Sequence, residues 1–151
     1  MRNKDWFPER MQHVVALLES KFDFVQIGSR QDPPLAGARD MRGCNSVPET
    51  AQLLSQSRLF VGQVGFLMHL ARAVNCRSVI IYGGREIPAL TGYGANINLT
   101  TQIPCSPCWL RNRCDFDLEC MRRITAEDVA AAIQRASDSY GQPLIEDTTT
   151  I

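Results

Sequence analysis

Leu59 to Gly84 reads LFVGQVGFLMHLARAVNCRSVIIYGG, and the succession of patterns within it decides the fold. Leu59-Phe60-Val61 is a short apolar run, and Gly62 and Gly65 bracket a turn. From Phe66 the spacing becomes helical: Leu67, Leu70, Ala71 and Val74 recur at i, i+3, i+4 and i+7, one face of a helix. Ser78-Val79-Ile80-Ile81-Tyr82 is then a dense β-branched run that ends at Gly83-Gly84. Such a run predicts a strand buried on both faces, as in a parallel sheet. Strand, glycine turn and helix together predict a helix N-terminus at the carboxyl edge of that sheet. Its free N–H groups and dipole favour an anion there, and phosphate is the usual one. His69 falls in or near that first turn.

Working towards the N-terminus, Arg58 to Val61 is the strand that opens this unit. Ahead of it, Ser46-x-x-Glu49 is a capping box with Pro48 in the first turn, and Val47, Ala51 and Leu54 give that helix a face. Phe22 to Ile27 is β-rich and is expected to form a strand ended by Gly28-Ser29. Arg30 to Ala38 is a loop containing Pro33-Pro34 and Gly37, and Asp40 to Gly43 is expected to be a very short strand. Pro8 suits the first turn of a helix whose face is Met11, Val14, Val15 and Leu18. Working towards the C-terminus, Arg85 to Asn96 is a loop, Ile97-Asn98-Leu99 a short strand, and Thr125-x-x-Asp128 the cap of a last helix with Val129, Ala132, Ile133 and Ala136 on its buried face. The expected fold is α/β, a Rossmann-like parallel sheet with helices on both faces. A single domain is expected over 1–140, including a cysteine loop at 104–121, with a loose tail at 141–151. Ligands of such sheets bind beyond the carboxyl ends of the strands, the edge that carries Gly28, Gly62 to Gly65 and Gly84.

Sixteen basic and sixteen acidic residues cancel over 151 residues, which removes the electrostatic case for a nucleic-acid partner. No apolar run approaches the ~18 residues of a membrane span. The N-terminal MRNKDWFPER lacks the apolar core of a signal peptide, so a cytoplasmic location is the default expectation. Six cysteines in such a chain are better read as thiols or metal ligands than as disulfides. Four form Cys105-x2-Cys108-x5-Cys114-x5-Cys120, which matches a four-thiolate structural site for zinc or iron. Arg111, Arg113, Arg122 and Arg123 would offset its charge. Two disulfides or four free thiols are the alternatives. Cys44 and Cys76 are read as buried thiols.

His69 could donate to a phosphate or a leaving-group charge, or be a core residue of the helix. Arg85-Glu86 could touch a ribose or phosphate, or pair with each other at the surface. There is no GxxxxGKS phosphate loop, GxSxG elbow or HExxH motif, and no Cys/His pairing for nucleophilic catalysis stands out.

In order, the chain carries Lys4-x-Trp6, Gln26-Ile27-Gly28-Ser29, Gly43 before Ser46-Val47-Pro48-Glu49, and Leu59-Phe60-Val61-Gly62. Met68-His69-Leu70-Ala71-x-Ala73-Val74 and Val79-Ile80-Ile81-Tyr82-Gly83-Gly84 follow. Cys105-x-Pro107-Cys108, Cys120-Met121-x-x-Ile124-Thr125 and Asp128-Val129 close the series. From Lys4 to Ala136 the chain resembles the C-terminal half of glycosyltransferase family 9, the ADP-heptose:lipopolysaccharide heptosyltransferases. The resemblance implies one half of a two-domain GT-B fold that binds a nucleotide-diphosphate sugar. Transfer would invert the anomeric centre without a catalytic metal, onto a bacterial glycan or lipopolysaccharide. It also implies that an N-terminal acceptor domain or partner subunit supplies the acceptor site and the base, so that this chain is not active alone. Lys4 and His69, with Gly28, Gly62, Gln63, Gly65, Gly84 and Arg85 around them, would hold the donor. Where the family carries Asp-Thr/Ser-Gly, this chain has Val64-Gly65-Phe66, with Gln63 alongside. That departure keeps open a non-catalytic nucleotide-binding or assembly module, and a zinc-stabilised domain for a different nucleotide.

Overall fold

The computed structural model describes residues 2–140 and 147–150. Its strands are β1 (Phe24–Gln26), β2 (Ala38–Asp40), β3 (Phe60–Gln63), β4 (Ser78–Gly83), β5 (Asn96–Thr100) and β6 (Asp147–Thr150). Its α-helices are α1 (Pro8–Leu18), α2 (Val47–Gln56), α3 (Phe66–Ala73), α4 (Pro88–Thr91), α5 (Glu119–Arg123) and α6 (Ala126–Asp138). β3, β4, β5 and β6 lie side by side in one parallel sheet, and β1 and β2 form a parallel pair. This is the expected α/β architecture, with each strand of the larger sheet linked to the next through a helix.

Alternation along β4 explains why its sequence is apolar throughout. Val79 and Ile81 enter one core with Leu99, with Val14 and Leu18 of α1, and with Val129 and Ile133 of α6. Ile80 and Tyr82 enter a second core with Leu54 of α2 and with Met68 and Ala71 of α3. Successive side chains of a strand point to opposite faces, so a central strand between two helical layers must be apolar at every position. Every residue of β4 is buried.

Both capping boxes form. The Glu49 carboxylate accepts from the Ser46 N–H at 2.7 Å and from its hydroxyl at 2.6 Å, and these bonds hold the Glu49 carboxyl below its usual value. Asp128 N–H donates to the Thr125 hydroxyl at 3.1 Å while Thr125 N–H donates to the Asp128 carboxylate at 2.8 Å. Trp6 is buried, and its indole N–H donates to the Ile124 carbonyl at 3.2 Å, so the N-terminal segment is anchored rather than frayed.

Several boundaries differ from the sequence reading. The short strand expected at Asp40–Gly43 lies two residues earlier, at Ala38–Asp40. Arg42 N–H donates to the Asp40 carboxylate at 3.0 Å and Gly43 has φ 61°, so the chain turns where the strand was expected. The loop Arg85–Asn96 contains one helical turn, α4, which Pro88 starts. The tail read as loose from Gly141 ends in β6, paired with β5 from Ile97↔Asp147 to Thr100↔Thr150. Residues 141–146 and 151 lie outside the described residues.

Candidate functional site

The edge at the carboxyl ends of β3 and β4 gathers most of the predicted donor-site residues. β3 ends at Gln63, Val64 turns inward, and Gly65 is the N-cap of α3. Val64 is 7% exposed and lies in the second core, the one that contains Met68 and Tyr82, so the residue that stands in place of an acid is buried. A Cβ placed on Gly65 would meet no atom within 4 Å, so the space beside the first turn of α3 is open. Helix geometry leaves the first N–H groups of α3 without helical partners. Gly62 lies where the Phe60 ring leaves no room for a Cβ, at 2.6 Å. Gln63 Nε2 donates to the Trp6 carbonyl at 3.5 Å, which ties the end of β3 to the segment bearing Lys4.

His69 is exposed on α3 and is not a core residue. Its Nδ1 is hydrogen-bonded to the Tyr93 hydroxyl at 2.8 Å, and Tyr93 lies in the loop after α4. Side chains on a helix lean towards its N-terminus, so an imidazole on the fourth residue of α3 overlies the first turn.

Lys4 lies across the edge. Its ammonium pairs with Glu86, which also receives Arg85, and Glu86 is only 6% exposed. Burial pushes the Glu86 carboxyl up, but Lys4, Thr91 and Arg85 outweigh it and hold it below the ordinary glutamate value. Two cations thus share one carboxylate. Arg85 is committed elsewhere too: its Nε donates to the Leu110 carbonyl at 2.9 Å and its guanidinium lies 5.9 Å from the centre of the Trp109 ring. Gly84 is packed rather than open, since a Cβ there would lie 2.9 Å from the Cys120 Cβ and 3.1 Å from the Ser106 Cβ. Gly28 is at the end of β1, where its carbonyl accepts from Gly43 N–H at 2.8 Å, and no described contact joins it to α3.

All six cysteines are free thiols. Cys105, Cys108, Cys114 and Cys120 line one cavity of about 30 Å³ together with Asn3 and Gly84. Burial raises the Cys105 and Cys120 thiols above the ordinary cysteine value, and neighbouring cysteines of the set push in the same direction. Leu118 N–H donates to the Cys114 sulfur at 3.3 Å, the kind of bond that steadies a thiolate. Soft sulfur donors around one small cavity suit zinc or iron. Among the described residues, however, no group of three His, Cys, Asp or Glu stands in the arrangement that would hold a metal ion. The four sulfurs are gathered but not set in ligand geometry. Cys76 is buried as expected, and burial raises its thiol to about 11. Cys44 is exposed instead, because the turn at Arg42-Gly43 carries it past the short strand into solvent.

Glu86 was legible only as half of an Arg-Glu pair, and its role as the shared acceptor of Lys4 and Arg85 needed the fold. Tyr93 belongs to no sequence motif, and its one signal is its place between Gly92 and Gly94.

A parallel sheet between two helical layers, with an open helix N-terminus at its carboxyl edge, defines a Rossmann-like α/β domain, of the kind that makes up one half of a GT-B fold. Solved structures bear this out. The chain is similar to the bacterial iron-containing dodecameric glycosyltransferase TibC of enterotoxigenic E. coli H10407, with a TM-score of 0.76 and 22% identity over 91% of this chain and 42% of that one. It is also similar to dodecameric iron-containing heptosyltransferase TibC in complex with ADP-D-β-D-heptose, with a TM-score of 0.78 and 22% identity over 94% of this chain and 44% of that one. The chain therefore spans less than half the length of these proteins. No family model matches it, and no curated protein does. No helix among the described residues is long and apolar enough to cross a membrane.

Proposed function

We propose that this chain is the donor-binding half of an inverting glycosyltransferase of the heptosyltransferase kind, related to glycosyltransferase family 9. Its ligand would be a nucleoside-diphosphate sugar, and its acceptor a bacterial glycan or lipopolysaccharide. The observation that carries the reading is the open N-terminus of α3 beside His69, at the carboxyl edge of a sheet matching TibC, one structure of which holds ADP-D-β-D-heptose. The diphosphate would accept the first N–H groups of α3. His69 would add a side-chain donor, and Lys4 a cation; a lysine ammonium has three N–H donors, so its pairing with Glu86 leaves others for a ligand. As the sugar–phosphate bond breaks, negative charge grows on the departing diphosphate. Fixed donors and cations at that point stabilise the transition state more than the ground state. The base and the acceptor pocket would come from an N-terminal domain or partner subunit, in a cytoplasmic enzyme.

Cys105, Cys108, Cys114 and Cys120 would hold zinc or iron after a small closing movement. Four thiolates leave no position for a substrate, so the metal would stabilise the loop rather than take part in transfer. Elemental analysis should then find one metal per chain, lost in Cys120→Ser; metal-free protein of unchanged stability would refute this part.

A second reading has its own observation. Val64 is sealed in the core where the family has an acid, which suits a non-catalytic nucleotide-binding or assembly module. Thermal unfolding with ADP, UDP and GDP separates the two. A ligand at 100 times its dissociation constant adds about 2.7 kcal/mol. Stabilisation by one nucleotide, abolished in Lys4→Ala and His69→Ala, supports the donor site. Equal stabilisation in the variants moves the site elsewhere, and no stabilisation by any of them favours an assembly module that binds no nucleotide.

A further inference from the structure

The bond between His69 and Tyr93 is not used by that reading, and it is well built. The two rings meet edge to face, centroids 5.7 Å apart at 86°. Tyr93 is fixed from beneath: its carbonyl accepts from Asn96 N–H at 3.0 Å and from Asn98 Nδ2 at 3.5 Å. Asn98 is 1% exposed on β5, the neighbour of the central strand. Gly92, just before Tyr93, lies where a Cβ would come within 2.7 Å of the Tyr82 hydroxyl and 2.8 Å of the Pro88 carbonyl, so the chain must pass close there. The Tyr93 side chain also packs against the second core. Sheet, loop and ring thus hold one hydroxyl against one nitrogen of an otherwise exposed imidazole.

We propose that Tyr93 is a positioning residue for His69: its hydroxyl donates to Nδ1, which keeps the imidazole proton on Nε2 and presents Nε2–H as a fixed donor at the N-terminus of α3. A phenol hydroxyl donates readily, and the neutral imidazole has one acceptor nitrogen. Which nitrogen carries the proton is set by the bond the other one makes. A free imidazole on the helix surface would rotate and exchange tautomers, so only part of its population would offer a donor to a ligand. The role assigned to Nε2–H rests on the reading of this edge as a diphosphate site, whereas the setting of the tautomer does not.

Two readouts on the 151-residue chain test this. Long-range 1H–15N spectra of neutral His69 should show a single tautomer, protonated at Nε2, in the natural protein and a mixture in Tyr93→Phe. Calorimetry with ADP should show Tyr93→Phe binding about three- to tenfold more weakly, the worth of one neutral hydrogen bond. In a His69→Ala background the same change should cost nothing further, because the two residues act as a unit. Replacement of Tyr93 by 3-fluorotyrosine, which keeps the hydroxyl and sharpens it as a donor, should preserve both the tautomer and the affinity. An unaltered tautomer in Tyr93→Phe overturns the proposal, as does an affinity loss of the same size with His69 absent. If the natural chain fails to bind ADP, the donor-site reading fails, and the tautomer comparison by itself decides the role of Tyr93.

Discussion

The exits of β3 and β4 stand next to each other on one sheet edge and are built in opposite ways. Past β3, Gly65 has empty space beside it, Val64 is tucked into the core, and the His69 ring is held by the Tyr93 hydroxyl. Past β4, Gly83 and Gly84 are pressed against Met121 and Cys120, with hypothetical Cβ atoms 2.6 Å from the Met121 sulfur and 2.9 Å from the Cys120 Cβ. Cys108 N–H donates to the Gly84 carbonyl at 3.2 Å and Trp109 N–H to the Arg85 carbonyl at 3.1 Å. Glu86 then gathers Lys4 and Arg85. Both exits use glycine, for different reasons. At β3 the missing side chain leaves room for something from outside, and at β4 it admits the chain's own cysteine loop. Position along a sheet edge does not make a glycine a ligand contact; what occupies the vacated volume does.

Three changes would break this contrast. The largest effect is expected for Glu86→Ala, which strands two cations that are largely shielded from water. Removing one member of such a cluster costs about 3 kcal/mol, read by chemical denaturation. A loss below about 0.5 kcal/mol would mean that the corner is solvated and unimportant to stability. The pH dependence sharpens the same point. The Glu86 carboxyl is held low in the folded protein, so its contribution is fully present above the unfolded glutamate value near 4.5 and is lost as pH falls through the folded value. Glu86→Gln should therefore flatten the stability profile on the acid side of that range. Next comes Gly84→Ala, which drives a methyl group into Cys120 and Ser106 and should cost about 1–3 kcal/mol. The smallest effect is expected for Gly65→Ala, within about 0.5 kcal/mol, because its φ of 171° is extended backbone and nothing lies in the way. Equal losses at Gly84 and Gly65 would erase the difference between the two exits.

The central α/β unit was legible because its signals are local. Helical spacing from Phe66, the run Val79 to Tyr82 and the boxes at Ser46 and Thr125 each depend on neighbours within about two turns of chain. Features made by distant partners were not. β6 is polar, Asp147-Thr148-Thr149-Thr150, and becomes a strand only by pairing with β5. The place of Lys4 against Glu86, and of Tyr93 against His69, joins segments separated along the chain, and no spacing rule anticipates either. The cysteine spacing did bring four sulfurs to one cavity, yet spacing says nothing of whether they close into ligand geometry. Val64 marks the limit most plainly. Its identity announced a missing acid, and only its burial revealed that the side chain belongs to the core.

Calorimetric titration of the chain with ADP and with inorganic pyrophosphate tests most directly whether the open end of α3 is an anion site. Binding of both, weakened at least tenfold in His69→Ala while Gly84→Ala at matched folded fraction leaves it intact, is the predicted result. Binding that ignores His69, or that disappears with Gly84→Ala alone, would place the anion at the cysteine-loop corner and contradict it.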